Sequence, residues 1–212
     1  MRPTSPSSRS RIVLELPAGL TLYFARHGQT EANVQKRFSG SKDTPLTPLG
    51  LEQAAQVGRI LSRELGDAQG WQFISSPLTR AVNTMKIARQ AMSLPADGFA
   101  TDNRLREIDL GVWDQLTDQE ARAQSPTLFE QRGNDKWHVR VPEGENYAEV
   151  AARVSDWVTE LKTSTIAISH GATTRILRGL LAGLHWREMS SLDEPQGVVF
   201  RVTGSQVVRL DP

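Results

Sequence analysis

The chain has 212 residues, of which 38% are hydrophobic and 23% charged, with a formal net charge of +1. That length suits one domain with a sizeable core, and a charge so near zero gives no global field to attract nucleic acid. Cysteine is absent, which excludes disulfides, thiolate nucleophiles and cysteine-based zinc sites without fixing the compartment.

The opening stretch MRPTSPSSRSR is basic, rich in Ser and Pro, and free of acids. It lacks the apolar core of a secretory signal, so residues 1–12 are expected to form a disordered tail, with an organellar transit signal as the alternative. No stretch reaches the roughly 18–20 apolar residues of a membrane span. The expectation is a cytoplasmic chain whose single domain covers residues 13–212, with no membrane and no nucleic-acid partner.

Along that domain, strand and helix signals alternate. Thr21 to Ala25 is a short β-prone run, followed at once by Arg26-His27-Gly28. Thr47-Pro48 reads as an N-cap and first helical position, and Leu51, Ala54, Gly58, Leu61 and Leu65 follow at helical spacing. Trp71 to Ile74 predicts a second strand. Ser76-Pro77 then opens a helix with the stripe Leu78, Val82, Met85, Ala88 and Met92. Residues 94–116 read as loop with short extended pieces, and one helix is expected from Thr117 to about Gln131. Residues 94–145 together look like an excursion from the core, a class of segment that often forms lids or substrate walls.

A further helix runs from Val150 through Val154 and Trp157 to Leu161. Ser164 to Ser169 predicts a buried strand ending at His170-Gly171, and a helix with Ile176, Leu177, Leu180, Leu181 and Leu184 follows. Two runs flanking Thr203-Gly204-Ser205 predict a closing hairpin, which either completes the sheet or pairs with another subunit in a homodimer. The alternation implies an α/β fold with helices on both faces of one sheet. In such sheets ligands bind outside the carboxyl ends of the strands.

Three features sit where a predicted strand stops: Arg26-His27-Gly28, Arg80, and His170-Gly171. Strand ends of one parallel sheet converge, so these residues could meet. Each junction would also present free N–H groups and a positive helix end to an anion. Phosphoryl transfer needs an in-line nucleophile and positive groups around the equatorial oxygens. A neutral imidazole is nucleophilic near neutral pH, and arginine binds phosphate oxygens in a bidentate manner. Arg26 and Arg80 would disfavour the imidazolium form of His27. Glu107, in Leu105-Arg106-Glu107, is the best placed carboxyl to protonate a leaving oxygen. Taken singly, these residues leave a plainer reading open: a structural histidine, an exposed helical Arg80 and a solvated Glu107.

Together the residues resemble the histidine phosphatase superfamily, also called phosphoglycerate mutase-like. The resemblance rests on residues 26–33 (Arg-His-Gly-Gln-Thr-Glu-Ala-Asn), Arg37-Phe38-Ser39-Gly40, Ser75 to Ala81, Leu105-Arg106-Glu107 and Ser169-His170-Gly171. It runs in order from about residue 21 to about residue 182. It implies a three-layer α/β/α sandwich with a mostly parallel sheet and a phosphohistidine on His27. It also implies phosphate contacts from Arg26, Arg80, His170 and Gly171, help from Asn33 and Arg37, and less securely from Ser39 and Gly40. Glu107 matches the proton donor. No metal or other cofactor is implied, and the expected partner is a small phosphorylated metabolite.

Within this resemblance a metal-independent phosphatase is favoured over a cofactor-dependent phosphoglycerate mutase. The mutases carry Glu-Arg-His-Tyr-Gly around the acid, whereas this chain has Glu107-Ile108-Asp109-Leu110-Gly111. They also have a longer insertion before the second histidine, which would shield a phosphoenzyme from water. A non-catalytic phospholigand-binding protein is the further alternative. Outside these blocks, Arg132, Lys136 and Arg140 could contact a second anionic group or form a solvated basic surface. His138 and His185 read as surface or packing residues, and the five tryptophans as packing.

Overall fold

The computed structural model describes residues 14–212, so the expected tail lies outside the described residues. Six strands form one sheet: β1 (Thr21–Arg26), β2 (Gln72–Ser75), β3 (Ala100–Thr101), β4 (Thr165–Ser169), β5 (Val199–Thr203) and β6 (Gln206–Leu210), in the order β3-β2-β4-β1-β5-β6. β1 to β4 are mutually parallel, and β5 and β6 are antiparallel additions.

β1 and β4 lie at the centre because they are apolar on both faces, as buried parallel strands must be. Leu22, Phe24 and Ala167 point into one core cluster, and Tyr23, Ala25, Ile166 and Ile168 into a second on the opposite face. The helices are α1 (Glu31–Val34), α2 (Pro48–Leu65), α3 (Thr79–Ala91), α4 (Asp118–Gln124), α5 (Pro126–Asn134), α6 (Tyr147–Thr159), α7 (Gly171–Leu181) and α8 (Trp186–Met189). α2 and α3 cover the second cluster, while α6 and α7 cover the first. The arrangement is the expected mixed α/β sandwich.

Several boundaries differ from the sequence expectation, each for a local reason. α3 starts at Thr79 rather than Ser76: the Ser76 hydroxyl lies 2.7 Å from Nε2 of His170 and accepts from the amide of Leu78, the residue before the helix, at 3.3 Å. The helix expected from Thr117 to Gln131 is two helices, α4 and α5. Ser125 precedes Pro126 and takes φ −147°, ψ 70°, which breaks the helix as a pre-proline residue tends to.

Residues 94–145 are also less of an excursion than expected. Leu105, Ile108, Leu110, Trp113, Ala121, Trp137 and Val141 are all buried in the first cluster. Their spacing fits neither a single helix nor a strand, so periodicity did not reveal them as core. The terminal hairpin closes with Thr203 opposite Gln206, and β6 forms one edge of the sheet.

Candidate active site

Register alone brings the two signature histidines together. Arg26 pairs with Ser169 across β1 and β4, and the His27 amide donates to the Ser169 carbonyl at 2.9 Å. His27 and His170 therefore leave adjacent strands at the same level. Their rings meet edge to face, with centroids 5.1 Å apart. His27 is 3% exposed and His170 fully buried.

A carbonyl can only accept, so the 2.7 Å contact between Nδ1 of His27 and the Gly28 carbonyl places the ring proton on Nδ1. Nε2 is left with its lone pair. Burial, then the charge of Arg26, then that of Arg80 hold the His27 imidazolium well below its usual range, outweighing the Gly28 carbonyl, which acts the other way. His170 is depressed likewise, by burial first and then by Arg80, His27, Arg26 and Arg153. Both rings are neutral at physiological pH.

Two of the three junctions expected to face an anion, those before α3 and α7, are instead occupied by carboxylates, which a positive helix end favours. Asp43 accepts from the amides of Thr79 (2.6 Å) and Arg80 (3.4 Å) at the start of α3. Glu107 accepts from the amides of Ala172 and Thr173, both at 3.2 Å, at the start of α7. The Glu107 carboxyl also accepts from the Ile108 amide at 2.9 Å, so it is held by several bonds while lining the same cavity as His27.

That cavity measures about 470 Å³. Arg26, His27, Asn33, Arg37, Ser39 and Glu107 line it. Other sequence candidates do not reach its wall. Arg80 is buried, and its terminal nitrogens bind the Ser39, Gly40 and Lys42 carbonyls and the Asp43 carboxylate. Of the plain readings, an exposed Arg80 is thus excluded. Gly40 faces away, its amide donating to Asp114 at 2.8 Å. His170 and Gly171 do not line it: His170 packs against the His27 ring and Gly171 against Glu194. Asn33 accepts from Gln196, and Arg37 is paired with Glu120 at 2.8 Å.

A second cationic group lines the cavity: Arg132, Lys136 and Arg175, with Tyr147. Tyr147 accepts a 3.0 Å bond from Arg175. Neither Arg132 nor Lys136 has an acidic partner within salt-bridge distance among the described residues. Burial, then Arg175 and Arg132, pushes the Lys136 ammonium below its usual value. Arg140, grouped with these from sequence, instead pairs with Glu149. His138 binds Asp135 and His185 caps α8. Trp113, Trp137 and Trp157 are buried packing residues, Trp113 also forming cavity wall.

Arg175, Tyr147, Glu194 and Gln196 escaped the sequence reading. Only Arg175 carried a signal, as a cation beside the apolar stripe of the helix that begins at His170-Gly171.

The histidine phosphatase superfamily (branch 1) profile matches residues 22–206. The chain belongs to the histidine phosphatase superfamily. Among its members, the "Probable phosphoglycerate mutase GpmB" of Salmonella arizonae is 33% identical over 175 residues, covering 80% of this chain and 78% of that protein. The rat "6-phosphofructo-2-kinase/fructose-2,6-bisphosphatase 4" is 28% identical over 86% of this chain, which spans only 37% of that longer protein. A mycobacterial glucosyl-3-phosphoglycerate phosphatase has a similar structure, with TM-score 0.73 and 27% identity, covering 86% of this chain and 89% of that one. The superfamily thus includes both phosphatase and mutase relatives of this chain.

Proposed function

We propose that the chain is a metal-independent phosphatase that hydrolyses phosphate monoesters of small metabolites bearing a second acidic group. The observation that carries the phosphatase half is the state of His27. It is neutral and buried at the cavity wall, with Nδ1 tied to a carbonyl so that Nε2 is the free nucleophile. The second acidic group is inferred from Arg132, Lys136 and Arg175 in the same cavity. The relatives' names fit this: a bisphosphate and phosphoglycerates each carry two acidic groups.

The reaction has two steps. The Glu107 carboxylate first takes the proton of a monoanionic ester; Nε2 of His27 then forms a bond to phosphorus as the ester P–O bond breaks, and the leaving oxygen takes that proton from Glu107. A water oxygen then attacks phosphorus, its proton passes to the Glu107 carboxylate, the N–P bond breaks and phosphate leaves. One carboxyl serves both steps because the second reverses the proton transfer of the first. Arg26 binds the phosphoryl oxygens. Arg80 acts from behind, fixing the 39–43 loop and adding positive charge near both rings.

A phosphate-release screen over metabolites with one and with two acidic groups, run in EDTA with His27→Ala as blank, tests this. Release dependent on His27 and strongest for doubly acidic esters is expected. Turnover by His27→Ala, or loss of activity on chelation, would refute it. The GpmB resemblance supports a mutase as the second reading, and interconversion of phosphoglycerates without phosphate release would establish that instead.

A further inference from the structure

The segment between α8 and β5 places an acid among the cavity's cations. Glu194 Oε1 lies 3.1 Å from Arg175, and Oε2 lies 3.8 Å from Arg26. The Glu194 carbonyl accepts a further 2.7 Å bond from Arg26. The carboxylate rests on the backbone of Gly171, where a Cβ would meet Oε2 at 2.7 Å. A side chain at position 171 would push the acid out of this place.

The segment is clamped on both sides of this residue. Asp193 is held by Arg178 at 2.8 Å and by Arg209 at 3.1 Å. Gln196 donates to the His27 carbonyl and to Asn33, each at 3.1 Å. The backbone is fixed, while the Glu194 side chain is 26% exposed and borders the cavity. One carboxylate thus bridges the arginine assigned to the phosphoryl group and an arginine assigned to the second acidic group.

We propose that Glu194 is a specificity-determining residue, an internal anion holding both arginines that is displaced efficiently only by a ligand presenting negative charge to both. The proposal rests on the reading that Arg26 takes the phosphoryl group. A ligand with one acidic group must share Arg26 with a neighbouring carboxylate and is repelled by it. A ligand with two replaces both ion pairs at once. Discrimination then comes from a built-in repulsive element as well as from attraction. The same repulsion speeds release of inorganic phosphate, which has only one group to offer.

The test is calorimetric titration of inorganic phosphate into the full-length wild type, Glu194→Gln and Glu194→Ala, followed by KM for p-nitrophenyl phosphate against a doubly acidic ester. Removing a like charge a few ångströms from the bound anion should tighten phosphate binding by about tenfold in both variants. The preference for the doubly acidic ester in KM should narrow. Unchanged or weaker phosphate binding in both variants would overturn the proposal, since a residue that merely orients the arginines gives that result. Calorimetry needs no turnover. Tighter binding without hydrolysis would keep this inference and sink the phosphatase reading, whereas hydrolysis with unchanged binding would do the reverse.

Discussion

The Gly28 carbonyl fixes which nitrogen of His27 can attack, and the Ser169 carbonyl fixes where that residue sits, at 2.7 and 2.9 Å respectively. Glu107 is positioned as firmly, by the amides of Ile108, Ala172 and Thr173. If it is the proton donor, Glu107→Gln keeps the shape and loses the chemistry. Turnover of alkyl phosphates should then fall by roughly 10²–10⁴-fold. The fall should be much smaller for p-nitrophenyl phosphate, whose leaving group needs little protonation. Comparing kcat on the two substrates checks this, and equal losses would remove Glu107 from the role.

The pair α2 and α3 packs at one close crossing. Gly58 faces the Ala88 carbonyl, and a Cβ at that position would overlap it and lie 2.7 Å from the Ala91 methyl. Both obstacles belong to a neighbouring helix rather than to a flexible side-chain tip. Gly58→Ala should therefore destabilise the fold by about 1–3 kcal/mol, despite alanine's better helix propensity. Denaturant unfolding measures it, and a variant as stable as wild type would show that the helices can separate at little cost. α3 also lacks a cap from its own N-cap side chain and takes one from Asp43, 36 residues before Thr79 in the chain. That cap shows how an element end can follow a distant neighbour, whereas the break at Ser125-Pro126 and the element middles follow local pattern.

Across the whole molecule, the two neutral histidines tie stability to pH. In the unfolded chain each takes up a proton as pH falls through about 6.5. In the folded protein burial and neighbouring arginines keep both rings unprotonated to much lower pH. The unfolded state then binds more protons, so stability falls as pH drops below about 6.5 and levels off above it. Each histidine contributes up to about a tenfold change in the folding equilibrium per pH unit. Between about pH 6.5 and 5, above the carboxylate range, His170→Asn should show a shallower loss than wild type. Parallel curves from chemical denaturation at stepped pH would contradict this.

The blocks around His27, Arg80, Glu107 and His170 were legible in the sequence because each lies beside a short β-prone run or a turn with a local signature. The central strands were legible because Leu22 to Ala25 and Ile166 to Ile168 are apolar at every position. Local pattern also determined the α/β class, while the family followed from the resemblance of those blocks to the histidine phosphatase superfamily. The tertiary structure alone decided that Arg80 braces a loop from behind the cavity, and that helix ends hold Asp43 and Glu107. It alone gathered Arg132, Lys136, Tyr147, Arg175 and Glu194 into one wall. Arg132 and Lys136 are neighbours in the chain, but Tyr147, Arg175 and Glu194 come from separate segments, and charges far apart in the chain become partners only when the fold brings them together.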